Sequence, residues 1–221
     1  MSVRRGVQIV DKDGIVLVFP LPDRDDPPSL WSRLYPGSAM DWRWDADADP
    51  RVASTWHLRE RLARSREVVY AKWFRGRATF FAKPIFRTIL GRLDADGRIA
   101  DGLSPAAREV LASLEDNSPQ STKELRRSSG LEGKENERSY QKAVGELWSR
   151  LLVVGVGEVP DGAFPSLAMA ATSLFFEDLW LDRGRVVPDD ERRLDAVLAS
   201  SKAIRRAFDR SLATVRGRDR A

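Results

Sequence analysis

Hydrophobic positions in the first half of the chain predict short strands and helices in alternation. Residues 7–19 are apolar on both sides of "DKDG", which is typical of two short strands joined by a turn. Residues 51–66 and the segment "KPIFRTILGRL" predict helices. Between them, residues 68–74 are almost continuously apolar or aromatic and predict a core strand, with "FRGR" as the exposed turn after it.

The most regular pattern begins at Ser104, the predicted N-cap of a helix with proline in its first turn. Ser121 and Glu124 have the spacing of a capping box and predict a second helix. A third helix is predicted over residues 134–151, and "LLVVGVGEV" then predicts a strand that ends in the turn "PDG". Three helices and a hairpin are typical of a winged helix-turn-helix; another small three-helix domain with a hairpin is the alternative.

The remaining residues predict helices. Residues 166–180, "SLAMAATSLFFEDLW", predict one helix, and a last helix with an arginine-rich face is predicted from Pro188. The predicted fold is therefore α+β and mainly helical, with a winged helix-turn-helix module, an N-terminal α+β region and C-terminal helices. Because "DADGRIADG" predicts a junction, the domain bounds are 1–103 for the N-terminal α+β domain, 104–165 for the winged-helix module and 166–221 for the C-terminal helices.

Charge is distributed unevenly along the chain. The net charge is +4, but arginine outnumbers lysine 30 to 7, a bias that a GC-rich genome also produces, so the total says little. Residues 1–103 carry 18 basic and 14 acidic side chains, residues 104–182 carry 8 and 13, and residues 183–221 carry 11 and 6. The positive charge at the two ends favours a negatively charged partner.

The densest basic segment is 59–77, where cations alternate with aromatic side chains. Cations hold phosphates and aromatic rings stack on bases, which favours nucleic acid as the partner. Arg59 falls on the helix side that faces the body, where a cation needs a partner or a ligand. The alternative is a solvated basic face, with Arg59 paired to an aspartate of "DADADP". The predicted nucleic-acid-binding residues are Arg59, Arg61, Arg64, Lys72, Arg75, Arg77, Lys134, Arg138 and Lys142.

The outer face of the third predicted helix is mixed rather than basic. It carries Glu135 and Glu146 besides Arg138 and Lys142, and carboxylates repel the phosphate backbone. Gly145 on this face suits the close approach of another backbone. Packing or dimerisation is therefore the alternative role of this helix.

Candidate catalytic and metal-binding residues are few. The absence of cysteine excludes disulfides, thiolate nucleophiles and cysteine zinc sites. His57 is the only histidine, and a core or capping role is the favoured interpretation. Asp45, Asp47 and Asp49 alternate as in a calcium loop, but the distal glutamate is missing. "GVG" at 155–157 lacks the third glycine of a dinucleotide-binding turn. We predict no catalytic residue, no metal and no cofactor.

No apolar run approaches the roughly 20 residues that span a bilayer. The first 14 residues also lack the apolar stretch of a signal peptide. We therefore expect a cytoplasmic protein without a membrane partner.

Three segments carry a resemblance to a known family. The segment "DWRWDADADPRVASTWHLRERLARSREVVYAKWFRGRATFF" resembles a pattern of tryptophan, leucine-arginine, tyrosine and "FRGR" in bacterial proteins related to the AlkZ (YcaQ) winged-helix DNA glycosylases. Residues 104–159 are similar to one of their winged-helix modules, and "FFEDLW" is similar as well. The resemblance spans residues 14 to 182 and implies a DNA-binding scaffold.

The glycosylases of that family act through a Gln-x-Gln or Gln-x-Asp motif. Here Gln8, Gln120 and Gln141 are followed two positions later by valine, threonine and alanine. The motif is absent, so the resemblance implies binding, mainly to duplex DNA, without evident catalysis.

Three functions follow as hypotheses. The first is a DNA-repair-related or regulatory winged-helix protein that binds nucleic acid. The second is a protein-interaction module in which the acidic middle segment meets another subunit, with a homodimer as one form. The third is a residual glycosylase that uses a carboxylate of "DADADP" as its base.

Overall fold

The computed structural model describes residues 1–22, 24, 26–40, 49–161 and 165–217. Eleven α-helices lie within these ranges: Val3–Asp13 (α1), Leu30–Leu34 (α2), Pro50–Ser65 (α3), Lys83–Leu93 (α4), Pro105–Asp116 (α5), Thr122–Ser128 (α6), Glu137–Ser149 (α7), Thr172–Phe175 (α8), Glu177–Leu181 (α9), Pro188–Ser200 (α10) and Lys202–Arg216 (α11). Six strands lie in the same ranges: Ile15–Leu17 (β1), Val69–Phe74 (β2), Arg77–Phe81 (β3), Gln120–Ser121 (β4), Val153–Pro160 (β5) and Pro165–Ala171 (β6). The prediction of a mainly helical α+β fold is confirmed.

The first sheet is antiparallel, with the strand order β1-β3-β2. Its central strand pairs Phe81 with Ile15 on one side and with Val69 on the other. Arg75 and Gly76 connect β2 to β3 with φ values of 52° and 73°, so both lie in the left-handed region that two-residue hairpin turns require. The predicted core strand and exposed turn at residues 68–77 are thereby confirmed.

The second sheet is also antiparallel, with the order β4-β6-β5. Along the chain, β4 lies between α5 and α6, and β5 and β6 follow α7. The helices α5 and α6 begin at the N-caps that the sequence predicts. The backbone N–H of Ala107 donates to Ser104 Oγ at 3.3 Å, and Ser121 and Glu124 form a complete capping box at the start of α6. Three helices, a short strand and a hairpin thus form one continuous segment.

Of the two strands predicted over residues 7–19, the first is wrong, because residues 7–13 belong to α1, and the second is confirmed as β1. Val3, Val7 and Val10 recur at helical spacing and pack against the core. Ser2 caps the N-terminus, and the backbone N–H of Gly14 donates to Val10 O at 2.8 Å. "DKDG" therefore ends a helix instead of forming a hairpin turn.

The prediction of one helix over residues 166–180 is wrong in its first half. Residues 165–171 form β6, the central strand of the second sheet, whereas the second half of the predicted helix is helical, as α8 and the start of α9. Hydrogen bonds to strands on both sides outweigh the helix propensity of alanine, leucine and methionine. The last predicted helix is divided at Ser201, which caps α11 by accepting from Ile204 N at 3.0 Å.

The buried apolar side chains form one continuous cluster that runs from α1 to α11. Arg150, which is fully buried, donates to Ile99 O at 2.8 Å, to Asp101 O at 2.7 Å and to Thr214 O at 3.3 Å. It joins the turn before α5 to the ends of α7 and α11. The boundary after residue 103 stays a prediction. No helix in the described ranges is long and apolar enough to cross a membrane.

Candidate nucleic-acid interface

Two adjoining clefts open beside the hairpin that β2 and β3 form. The Trp56 cleft, of about 420 Å³, lies between α3, this hairpin and the β5–β6 hairpin. The Gly145 cleft, of about 360 Å³, lies between the turn at Gly76, α7 and β6. Lys72 and Leu167 line both clefts, so the two adjoin at these side chains, and together they are called the depression.

Three of the predicted cations lie on the β2–β3 hairpin. Lys72 is half-buried where the clefts meet, Arg75 is exposed at the turn, and Arg77 is exposed at the rim of the Trp56 cleft. None of these side chains forms an ion pair with a residue that the structure describes. They are therefore available to an anion from solution.

The exposed face of α7 borders the same depression. Arg138, Gln141, Lys142 and Gly145 are exposed, and Gln141 and Gly145 line the Gly145 cleft. A Cβ added to Gly145 would meet no atom within 4 Å, so the space above this glycine is open and no other backbone approaches it among the described residues. Lys134 is exposed just before α7 begins.

The three predicted cations of α3 make internal contacts instead. The Arg59 side chain is only 5% exposed and donates to the Glu158 carboxylate, with Glu60 at 3.9 Å. Arg64 Nε donates to Glu60 Oε1 at 2.6 Å. Arg61 Nη2 donates to Met1 O at 2.5 Å. The expectation that Arg59 needs a partner is confirmed, and that partner is a residue of β5.

The alternative in which Arg59 pairs with an aspartate of "DADADP" concerns residues that lie partly outside the described ranges. Asp45 and Asp47 lie in the undescribed range, whereas Asp49 caps α3 and pairs with Arg51 at 2.7 Å. His57 is exposed on α3, not in the core. No group of three or more metal-ligating side chains occurs in the part of the chain that the structure describes.

Trp56 is a feature that the charge pattern did not single out. Its indole is 40% exposed, and the Arg59 guanidinium lies 3.9 Å from the ring centroid. Because Glu158 holds Arg59, one face of the indole is fixed while the rest opens into the Trp56 cleft. The spacing of three residues between Trp56 and Arg59 on α3 was the signal for this contact.

Two buried tyrosines line the clefts, one in each. The Tyr70 hydroxyl lies beside the Arg59 guanidinium and the Tyr140 hydroxyl beside that of Arg126. A guanidinium can only donate, so neither hydroxyl proton has an acceptor among the described residues. Burial raises the pKa of Tyr70, an effect that the nearby Arg59 charge opposes, and burial raises the pKa of Tyr140 to about 12. Both hydroxyls therefore keep their protons at neutral pH and can donate a hydrogen bond.

Burial lowers the pKa of Lys72, and the positive charge of Arg59 lowers it further. The folded state therefore disfavours the charged ammonium. We expect Lys72→Met to raise the free energy of unfolding by about 1 kcal/mol, measured by urea denaturation at neutral pH. Lys123→Met, at an exposed site on α6, is the control and is expected to change stability by less than about 0.5 kcal/mol. A loss of stability in Lys72→Met contradicts this account.

The fold and the clefts define a mixed α/β protein with two small antiparallel sheets and a cation-flanked depression between them. The family described as AlkZ related matches residues 2–163, and the chain belongs to that family. No curated protein and no solved structure matches it. The matched range contains α3, the β2–β3 hairpin and α7, and it ends just before β6.

Proposed function

We propose that this protein binds duplex DNA, with the β2–β3 hairpin and α7 as its contact surface. In this proposal the segment from α5 to β6 is a winged helix-turn-helix module. Its order of three helices and two hairpin strands, with β4 as a third strand, supports that assignment. Membership of the AlkZ-related family supports a role related to DNA repair.

One observation carries the proposal: cations without ion pairs to described residues lie on both elements that line the adjoining clefts. Lys72 and Arg77 line the clefts themselves, and Arg75 is exposed beside Gly76. Arg138 and Lys142 are exposed on α7, which lines the Gly145 cleft through Gln141 and Gly145. A duplex that spans both elements brings its phosphates to all five groups. Lys134 lies at the start of this surface, next to α7.

The α3 arginines take a different role in this proposal. Arg59 is buried against Glu158 in the wall of the Trp56 cleft and contributes little to phosphate binding, and the pair of Arg64 with Glu60 weakens its contribution. The carboxylates on and beside α7 disfavour insertion of this helix into the major groove, so Arg138 and Lys142 are expected to contact phosphates at the groove edge instead. We therefore expect binding with little sequence preference.

The test is the salt dependence of DNA affinity. Wild-type protein is expected to lose affinity steeply as salt rises, and Arg75→Ala/Arg77→Ala is expected to reduce the log–log slope by about 2, because each phosphate contact contributes about 0.9. Fluorescence anisotropy with a labelled duplex at several salt concentrations measures both slopes.

The matched control is Arg192→Ala/Arg193→Ala on α10, which removes the same charge away from both clefts. It is expected to leave the slope nearly unchanged. Absent or salt-independent binding by the wild type refutes the proposal. Equal losses in the two double variants refute the hairpin as the contact surface.

A further inference from the structure

The Trp56 cleft contains an aromatic surface that is held in place before any ligand arrives. Arg59 lies under the indole at 3.9 Å, and the buried pair with Glu158 fixes the guanidinium. Trp56 as a whole is 40% exposed and lines the cleft. A rigid, partly open indole is a surface on which any of the nucleobases can stack.

Hydrogen-bond donors lie beside that surface. Tyr70 is 1% exposed and lines the cleft; its Oη lies beside the Arg59 guanidinium, which only donates, so the hydroxyl proton has no acceptor among the described residues. Lys72 lines the same cleft without an ion pair. A buried polar atom without a partner is costly, and such atoms mark sites that a ligand completes. The donors match the carbonyl oxygens on the edge of a base.

Arg77 extends this arrangement at the rim of the cleft. Its side chain is exposed and lines the cleft, and a guanidinium in that position can hold a phosphate. The volume of about 420 Å³ lies in the range of ordinary small-ligand sites. An aromatic face, donors and a rim cation together match the base and the phosphate of one nucleotide.

We infer that the Trp56 cleft receives one nucleotide that has left the base stack of the bound duplex. This inference rests on the proposed function, because the duplex must first bind on the hairpin and α7. A paired base must be unstacked before it can enter, which costs free energy. The cleft should therefore favour DNA in which a base is already unpaired, such as a single-nucleotide bulge.

The experiment compares three labelled DNAs at one salt concentration: a perfect duplex, the same duplex with one extra thymine, and that bulge with an abasic residue in place of the thymine. The wild-type protein is expected to bind the thymine bulge about tenfold more tightly than the perfect duplex, the range typical of one stacked base. The abasic bulge, which has no base to stack, is expected to lose that advantage. Equal affinity for the thymine and abasic bulges overturns the inference without any mutation.

Variants then test whether Trp56 supplies the preference. Trp56→Ala is expected to reduce the ratio of the bulge and perfect-duplex affinities to near one, and Trp56→Phe to retain part of it. Leu174→Ala, at another exposed apolar side chain, is the control and should keep the full ratio. An undiminished ratio in Trp56→Ala overturns the inference. Failure to bind any of the three DNAs overturns the proposed function instead.

Discussion

Glu158→Gln is expected to lower the free energy of unfolding by about 3 kcal/mol, because it leaves the buried Arg59 guanidinium without its charged partner. Glu60 is the next carboxylate, at 3.9 Å, and it already accepts from Arg64 at 2.6 Å and from the backbone N–H of Glu158 at 2.9 Å. It cannot replace the lost charge. Urea denaturation at neutral pH measures the loss.

Two controls separate burial from charge removal in general. Asp189→Asn breaks the exposed pair with Arg192 and is expected to cost less than about 0.5 kcal/mol. Arg59→Met together with Glu158→Gln removes both charges and is expected to restore part of the stability that Glu158→Gln alone removes. If Glu158→Gln is as stable as wild type, Glu158 does not hold Arg59 in place. Arg59 then does not fix the Trp56 indole either.

Local signals predicted several elements correctly. Ser104 and the Ser121–Glu124 pair begin helices because a side chain within three residues satisfies the free N–H groups of the first turn. The signal for the hairpin at residues 68–77 is also local, since Gly76 beside Arg75 permits the left-handed backbone that the turn needs. Such signals depend on neighbours in sequence and need no knowledge of the fold.

The failures depended on distant partners. The apolar residues of 7–19 fit a strand period or a helix period, and only packing of α1 against the core selects the helix. For β6, Met169 pairs with Gln120 on one side and Gly155 on the other. Neither partner is visible in the local pattern of "SLAMAA", which by itself favours a helix.

The candidate site shows the same division. Residue type alone identified the cations of 59–77, but it could not separate the hairpin set from the α3 set. The separation depends on Glu158, which lies 99 residues from Arg59 in sequence. The "GVG" motif likewise has a structural role, because Gly155 makes room for the ring of Tyr70.

Gly155→Ala is expected to lower the free energy of unfolding by about 3 kcal/mol or more. A Cβ on Gly155 would overlap ring atoms Cδ1 and Cε1 of Tyr70, which is fully buried and cannot turn aside without disturbing β2. The same displacement would move Tyr70 Oη within the Trp56 cleft, so binding of bulged DNA should fall as well. Thermal or urea unfolding measures the first effect and anisotropy the second.

Gly145→Ala is the matched control, with the same added methyl group on an exposed helix face. Nothing lies within 4 Å of its Cβ, so the variant is expected to gain about 0.5–1 kcal/mol from the better helix propensity of alanine. Changes of opposite sign in the free energy of unfolding would establish that the contact between β2 and β5, rather than the loss of a glycine as such, destabilises Gly155→Ala. A neutral Gly155→Ala would mean that the two sheets are not packed as closely as Tyr70 requires, and that the floor of the cleft is formed differently.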